Sequence, residues 1–366
     1  MNQRRTSLLA AALSALLLLC TVGLCLGLAG CGKTPDDGPV GTDTEPADGT
    51  GNAEDADSVT EPGTFPVTEP ATEADTTPDF DPVPPNFTAD DVSAHREIPL
   101  FADMEIPFYD EKVGLAPTIA PYLVEGSTAC VVIFPGGGYF QRTDGGEGIE
   151  IAEAYNAAGL SAFVVRYRYD AAGVSGSVTY DRHAIMADAQ RAVQFVRYYA
   201  DEFGISRDKV AVCGFSAGGH LAMVIAEHAD ELYEGASESA IGWCDSHPDA
   251  LVLGYPLVNM KNAYYTVPII FLNGEQKDPD AIAKYSYTYR LEALPPTFMF
   301  AYKKDDTVSV RLNAQAMQKD MEEAGLRVEC YLFNDGAHGI GLGKNYADYS
   351  RWHDLSVAFL KDVFGQ

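Results

Sequence analysis

Apolar residues fall along this chain in three regimes. Residues 8–28 are almost entirely apolar, 32 to about 91 contain few apolar positions, and from Thr118 onward short apolar runs alternate with segments of helical spacing. The alternating region predicts strands at 119–124, 129–134, 161–167, 209–214, 250–255, 297–302 and 328–333. Helices are predicted between and after them at 147–158, 183–203, 217–228, 310–324 and 346–364. In 183–203 the apolar positions Ile185, Ala189, Ala192, Val193, Val196 and Tyr199 line one face. Strands alternating with helices of this length predict an α/β fold, a mostly parallel sheet with helices on both faces. Residues 256–294 break the rhythm: they are rich in Tyr, Asn, Pro and Lys, with only a short helical stretch near 280–285. Such an excursion is expected to lie over the carboxyl edge of the sheet, where open α/β folds bind ligands.

The first regime reads as a targeting segment, residues 1–31. Arg4 and Arg5 precede the apolar run, and Leu28-Ala29-Gly30-Cys31 closes it. Small residues before a cysteine resemble a bacterial lipoprotein signal, in which Cys31 carries the lipid. The competing reading is an uncleaved signal anchor, because about 20 apolar residues suffice to span a bilayer. An anchor helix has no need of the small-residue ending, so the lipoprotein reading is preferred. Both place the remainder outside the cytoplasm, held to the membrane.

Composition changes abruptly over 32–91. Sixteen acidic residues stand there against Lys33 alone, so the stretch supplies −15 of the formal charge of −28. Too little apolar surface is present to offset ordering entropy, and a disordered acidic linker is expected. A flexible stretch of that length spans roughly 40 Å root-mean-square, and proline and self-repulsion extend it. An acidic balance speaks against nucleic acid as a partner, which calls for basic patches. Residues 92–366 are left as one catalytic domain. Its cysteines, Cys130, Cys213, Cys244 and Cys330, lack paired zinc or disulfide spacing and are read as free thiols. No histidine pair has metal-ligand spacing, and no metal or cofactor is expected.

The candidate chemistry begins at Val212-Cys213-Gly214-Phe215-Ser216-Ala217-Gly218-Gly219-His220. An apolar strand runs into Gly214 and a small-residue helix start follows Ser216. Glycines two residues either side permit a sharp strand-to-helix turn that holds a serine hydroxyl at the sheet's carboxyl edge. In a chain with 34 glycines the G-x-S-x-G string alone is a moderate signal, and the flanking strand and helix strengthen it.

A serine nucleophile needs a base, and the base needs an orienting acid. Downstream, Asn334-Asp335-Gly336-Ala337-His338-Gly339 follows the last strand and Lys303-Lys304-Asp305-Asp306 follows an earlier one. His338 lies between glycines in a loop, where a packing histidine has little to touch, and is the candidate base. His220, one turn into the helix after Ser216, is expected to pack or cap. His183, His228 and His353 fall in predicted helices, and His95 and His247 in polar loops. Asp305 and Asp306 are adjacent, so only one points at His338. Asp335 shares the base's own loop and is a poorer orienter.

Phe134-Pro135-Gly136-Gly137-Gly138-Tyr139 follows the strand at 129–134, two strand–helix units before Ser216. Bare glycine backbone at that place can donate N–H groups to a developing oxyanion, with Gly137, Gly138 and Ala217 as donors. A phosphate cradle would want Lys-Ser/Thr after the glycines, where Tyr139-Phe140 stands.

With these residues assembled, the chain resembles the bacterial carbohydrate-esterase branch of the α/β-hydrolases, in particular acetyl-xylan esterase-like proteins. The resemblance covers about 119–360 and is carried by the motifs already named together with Pro295-Pro296-Thr297-Phe298 and Asp305-Asp306-Thr307-Val308. It implies an α/β-hydrolase fold and removal of acetyl groups from xylan or related oligosaccharides, without a cofactor. It also implies Asp306, the second residue of the pair, as the acid, although Val308-Ser309-Val310 replaces the family's usual Val-Pro. Tyr139, Phe140, Tyr264, Tyr265 and Tyr287 are then candidates to offer flat faces to sugar rings, against a role in ordinary packing.

Two other readings compete. A prolyl-oligopeptidase-like peptidase shares the Ser-Asp-His order, but usually has an aromatic after the nucleophile and a propeller ahead of it; Ala217 and an acidic linker stand here. A non-catalytic surface sugar-binding protein would lack one member of the set, and all are present.

Overall fold

The computed structural model describes residues 80–170, 179–261 and 266–366. The 1–31 segment with Cys31, the linker up to residue 79, and Tyr264 and Tyr265 lie outside the described residues. What is described belongs to one unit, Glu73–Gln366.

Strands form at β1 (Ile98–Pro99), β2 (Thr118–Tyr122), β3 (Cys130–Phe134), β4 (Ser161–Arg166), β5 (Val210–Phe215), β6 (Ala250–Gly254), β7 (Thr297–Tyr302) and β8 (Val328–Phe333). They make one sheet in the order β1-β2-β4-β3-β5-β6-β7-β8. β2 runs antiparallel to β1 and β4, and every pairing among β3 to β8 is parallel. Helices follow at α1 (Ala89–Ser93), α2 (Glu150–Ala157), α3 (Arg182–Tyr198), α4 (Ala200–Phe203), α5 (Ala217–Glu227), α6 (Thr266–Leu272), α7 (Pro279–Lys284), α8 (Ala314–Glu323) and α9 (Trp352–Phe364).

The central strands are apolar throughout because both faces are covered. Along β3, Cys130, Val132 and Phe134 join the core under α3, α5 and α8. Val131 and Ile133 point to the opposite core, under α2 and α9. This is the α/β-hydrolase arrangement expected from the sequence.

The chain leaves β3 for β4 on one side and later enters β5 on the other. The crevice beside β3 and β5 is therefore a topological switch point, the usual place for a site in such sheets. The loops after β3, β5, β6, β7 and β8 all leave the sheet at this same edge.

Several boundaries differ from expectation. The helix expected from 147 begins in a wide π-type turn, Asp144–Ile149, and the helices expected from 310 and 346 begin in 3-10 turns at Val310–Leu312 and Tyr349–Arg351. Residues 80–91, read as linker, belong to the folded unit. The Val83 N–H donates to Tyr198 Oη at 2.8 Å, and Phe87 stacks on Phe203 at 4.9 Å between ring centroids. Acidic composition masked the apolar anchors in that stretch.

Candidate active site

The turn after β5 puts Ser216 at φ 51° and ψ −114°, a conformation that non-glycine residues rarely adopt. What surrounds it explains both glycines. A Cβ at Gly214 would lie 2.1 Å from the Gly218 carbonyl oxygen, and one at Gly218 would lie 2.1 Å from the Phe134 carbonyl oxygen. The first contact closes the turn on itself, and the second presses α5 against the end of β3. The turn is further fixed by the Ser216 N–H donating to the Gly254 carbonyl at 2.9 Å.

A hydrogen-bonded line crosses the sheet edge from this serine. Ser216 Oγ lies 2.9 Å from His338 Nε2, and His338 Nδ1 lies 2.8 Å from Asp305 Oδ2. A carboxylate only accepts, so Nδ1 carries the ring proton and Nε2 keeps a free lone pair facing the serine. Asp305 is itself held in place: its Oδ1 accepts the backbone N–H of Thr307 at 2.9 Å and of Val308 at 3.1 Å, and its side chain is 1% exposed.

The acid partner is thus Asp305, and the expectation of Asp306 is corrected. Asp306 is exposed. The two backbone N–H groups that follow β7 turn the first carboxylate inward, which leaves the second to solvent. Asp335 is occupied elsewhere, its Oδ1 accepting the Tyr349 N–H at 2.8 Å at the start of the turn before α9.

The glycine loop after β3 runs against the serine. A Cβ at Gly136 would lie 3.2 Å from Ser216 Cβ and 2.7 Å from the Phe215 carbonyl oxygen, so side-chain-free backbone is required there. Gly137 at φ 129° and Gly138 at φ 64° continue in conformations that favour glycine. The Gly136 N–H is already taken by Glu147 Oε2 at 2.8 Å. Among the described residues the Gly137 and Gly138 N–H groups have no backbone hydrogen-bond partner, which leaves them, with Ala217 at the first turn of α5, as the candidate oxyanion donors.

Tyr139 does not face substrate. It is fully buried, stacks on Phe271 of α6 at 5.3 Å, and its hydroxyl lies 2.9 Å from His220 Nδ1. His220 Nε2 lies 3.0 Å from the Tyr285 carbonyl, which only accepts, so Nε2 bears the proton and Nδ1 accepts from the tyrosine. Burial pushes the imidazole down to about 4 and the Tyr139 phenol well above its ordinary range. The pair locks the glycine loop, α5 and the 256–294 excursion together, a packing role for both. Tyr287 is likewise buried, with its hydroxyl donating to Asp320 at 2.8 Å. Of the described aromatic candidates only Phe140 is exposed, at 37%.

Two residues at the site escaped sequence reading. Glu147, in the π-type turn, accepts the Gly136 N–H, and Tyr255, the residue after β6, donates to Glu147 Oε1 at 2.5 Å. The Tyr255 ring packs on the His338 imidazole at 4.7 Å. The only local signals were an acid among glycines and a tyrosine ending a strand.

Comparison with known proteins identifies the family. The BD-FAE family model matches residues 119–320, from β2 into α8. The chain is 29% identical to an acetylxylan esterase of Xylanibacter ruminicola over 62% of its own length and 43% of that protein. It is 27% identical to endo-1,4-beta-xylanase B of Butyrivibrio fibrisolvens over 67% of its length and 38% of that protein. The chain therefore spans about two fifths of the length of these curated relatives. Among solved structures, the acetyl ester-xyloside bifunctional hydrolase of Caldicellulosiruptor lactoaceticus superposes with a TM-score of 0.66 at 28% identity, covering 74% of this chain and 97% of that one. Esterase 2 of Thermogutta terrifontis, at 23% identity and a TM-score of 0.59 over 74% of this chain and 96% of its own, shares the fold. The chain belongs to the BD-FAE family of α/β-hydrolases.

Proposed function

We propose that this chain is a serine esterase that removes acetyl groups from xylan or a related saccharide. The observation that carries the reading is the unbroken line from Ser216 through His338 to Asp305, set against a glycine loop with free backbone donors. In the proposed reaction Ser216 Oγ attacks the acetyl carbonyl while His338 Nε2 takes its proton. Asp305 stabilises the resulting imidazolium, and the N–H groups of Gly137, Gly138 and Ala217 hold the tetrahedral oxyanion. His338 returns the proton to the departing sugar hydroxyl, leaving acetyl on Ser216. Water, deprotonated by the same histidine, then releases acetate and restores the serine.

The sugar substrate is supported by the names of the relatives, an acetylxylan esterase and an acetyl ester-xyloside hydrolase, and by Phe140, an exposed ring two residues past Gly138. The proposed location is outside the cytoplasm, attached through lipid at Cys31 and an acidic tether. It rests on the pattern of residues 1–31 and on the charge of the stretch that follows.

Acetate release from acetylated xylan and acetylated glucomannan, beside cleavage of a proline-containing peptide, each compared between wild type and Ser216→Ala, tests the reading. Release from acetylated xylan that vanishes in the variant is the expected result. Activity on the peptide alone overturns the substrate class, and activity that survives Ser216→Ala overturns the mechanism.

A further inference from the structure

We propose that Glu147 is a positioning residue for the hydrolytic step, a buried carboxylate that locks the oxyanion loop and the histidine loop to each other. The proposal rests on the serine-esterase reading above.

Glu147 is 2% exposed, and its oxygens are satisfied by neutral donors from separate segments of the chain. Oε2 accepts the Gly136 N–H at 2.8 Å and the Thr143 hydroxyl; Oε1 accepts the Tyr255 hydroxyl at 2.5 Å. Tyr255 Oη in turn accepts the N–H of Gly341, three residues past His338, at 3.1 Å. One carboxylate thereby joins the loop after β3, the residue after β6 and the loop after β8.

The backbone is shaped for these contacts. A Cβ at Gly136 would lie 2.7 Å from Glu147 Oε2, and one at Gly341 would lie 2.4 Å from the Gly146 carbonyl oxygen. The turn carrying Glu147 is a π-type turn, an irregularity frequent at functional sites. Tyr255 is held at φ 36°, where a bulky residue is strained, and from there its ring meets the imidazole.

The chemical consequence concerns orientation. By taking the Gly136 N–H, Glu147 fixes the first peptide of the loop whose next two N–H groups are assigned to the oxyanion. Through Tyr255 and Gly341 it fixes the segment that carries the base. Donors and base must keep a set separation for proton transfer and oxyanion binding to coincide, and small misplacements are costly. A carboxylate suits the task because it accepts from all three donors at once. Glutamine at this place offers one accepting oxygen and turns an N–H₂ group toward one of the donors.

The test compares wild type, Glu147→Gln and Tyr255→Phe using a short-chain acetyl ester and phenylboronic acid. The boronate forms a tetrahedral adduct with a nucleophilic serine, so its affinity reports on the oxyanion loop. Glu147→Gln is expected to lower kcat roughly 10- to 100-fold with KM changed by less than about 3-fold, and to weaken the boronate in parallel. Tyr255→Phe is expected to move the same quantities in the same direction by less. It carries the test alone if the glutamine variant does not fold. Folded variants with kcat and boronate affinity within about twofold of wild type overturn the proposal, as does a rise in KM at unchanged kcat. A wild type that hydrolyses no ester and ignores boronate sinks the esterase reading instead, before any variant is compared.

Discussion

Asp305→Asn and Asp306→Asn should have widely different consequences, although the two residues are neighbours. Asp305 Oδ1 is held by the Thr307 and Val308 N–H groups at 2.9 and 3.1 Å, and these donors persist in a variant. In Asp305→Asn they select the amide oxygen, which turns the amide N–H₂ toward His338 Nδ1. The imidazole can then present only its lone pair at Nδ1, moving the ring proton to Nε2, where Ser216 Oγ needs an acceptor. Both the tautomer and the charge that stabilises the imidazolium are lost. Such a loss in a serine triad costs about 10⁴ in kcat, about 5.5 kcal/mol of barrier. Asp306 is exposed and touches neither partner, so Asp306→Asn should leave kcat within about twofold. Steady-state hydrolysis of p-nitrophenyl acetate at neutral pH, with both variants checked for a native melting transition, separates the outcomes. A large loss in Asp306→Asn with little change in Asp305→Asn would refute the assignment of the acid.

Other consequences follow from the same contacts. Gly218→Ala would drive a Cβ to 2.1 Å from the Phe134 carbonyl oxygen. Relief requires backbone movement costing roughly 1–3 kcal/mol, so urea unfolding should shift and ester hydrolysis should drop together. His220 titrates at about 4 in the fold against an ordinary value of 6.5. The unfolded chain therefore binds the extra proton first, and stability falls as pH drops from about 6.5 to 4, by roughly 3 kcal/mol from this residue. Glu227, pushed up to about 8 by burial from an ordinary value of 4.5, has the opposite sign and withdraws stability as pH rises from about 4.5 to that value. Urea midpoints across pH test both, and His220→Gln should flatten the acidic slope without abolishing it. Cys31→Ala should release the protein from membranes and abolish incorporation of labelled fatty acid, and unchanged membrane association would favour the anchor-helix alternative.

What was legible in the chain was what is encoded locally. The serine turn could be read because a strained serine needs glycines two residues either side, and the base because His338 sits in a glycine-flanked loop after the last strand. The parallel sheet followed from alternating apolar runs, since strands buried on both faces leave an unbroken apolar signature. Asp305 could not be told from Asp306, because the deciding feature is which carboxylate meets the N–H groups of Thr307 and Val308. Tyr139 and Tyr287 lie in polar stretches and invited a surface role. Each is buried because a distant partner, His220 or Asp320, satisfies its hydroxyl. Glu147 was least visible of all: its donors come from Gly136, Thr143 and Tyr255, the last more than a hundred residues away. Phe87 shows the same limit at the domain edge, where acidic neighbours hid an aromatic anchored on α3 and α4.

The most direct test of the central claim is to titrate the protein with a fluorophosphonate while following acetate release from acetylated xylan, then map the adduct by peptide mass spectrometry. The structure predicts one adduct per chain, on Ser216, with hydrolysis lost in proportion to labelling. Full labelling of Ser216 with acetate release undiminished, or an adduct on any other residue accompanying the loss, would contradict it.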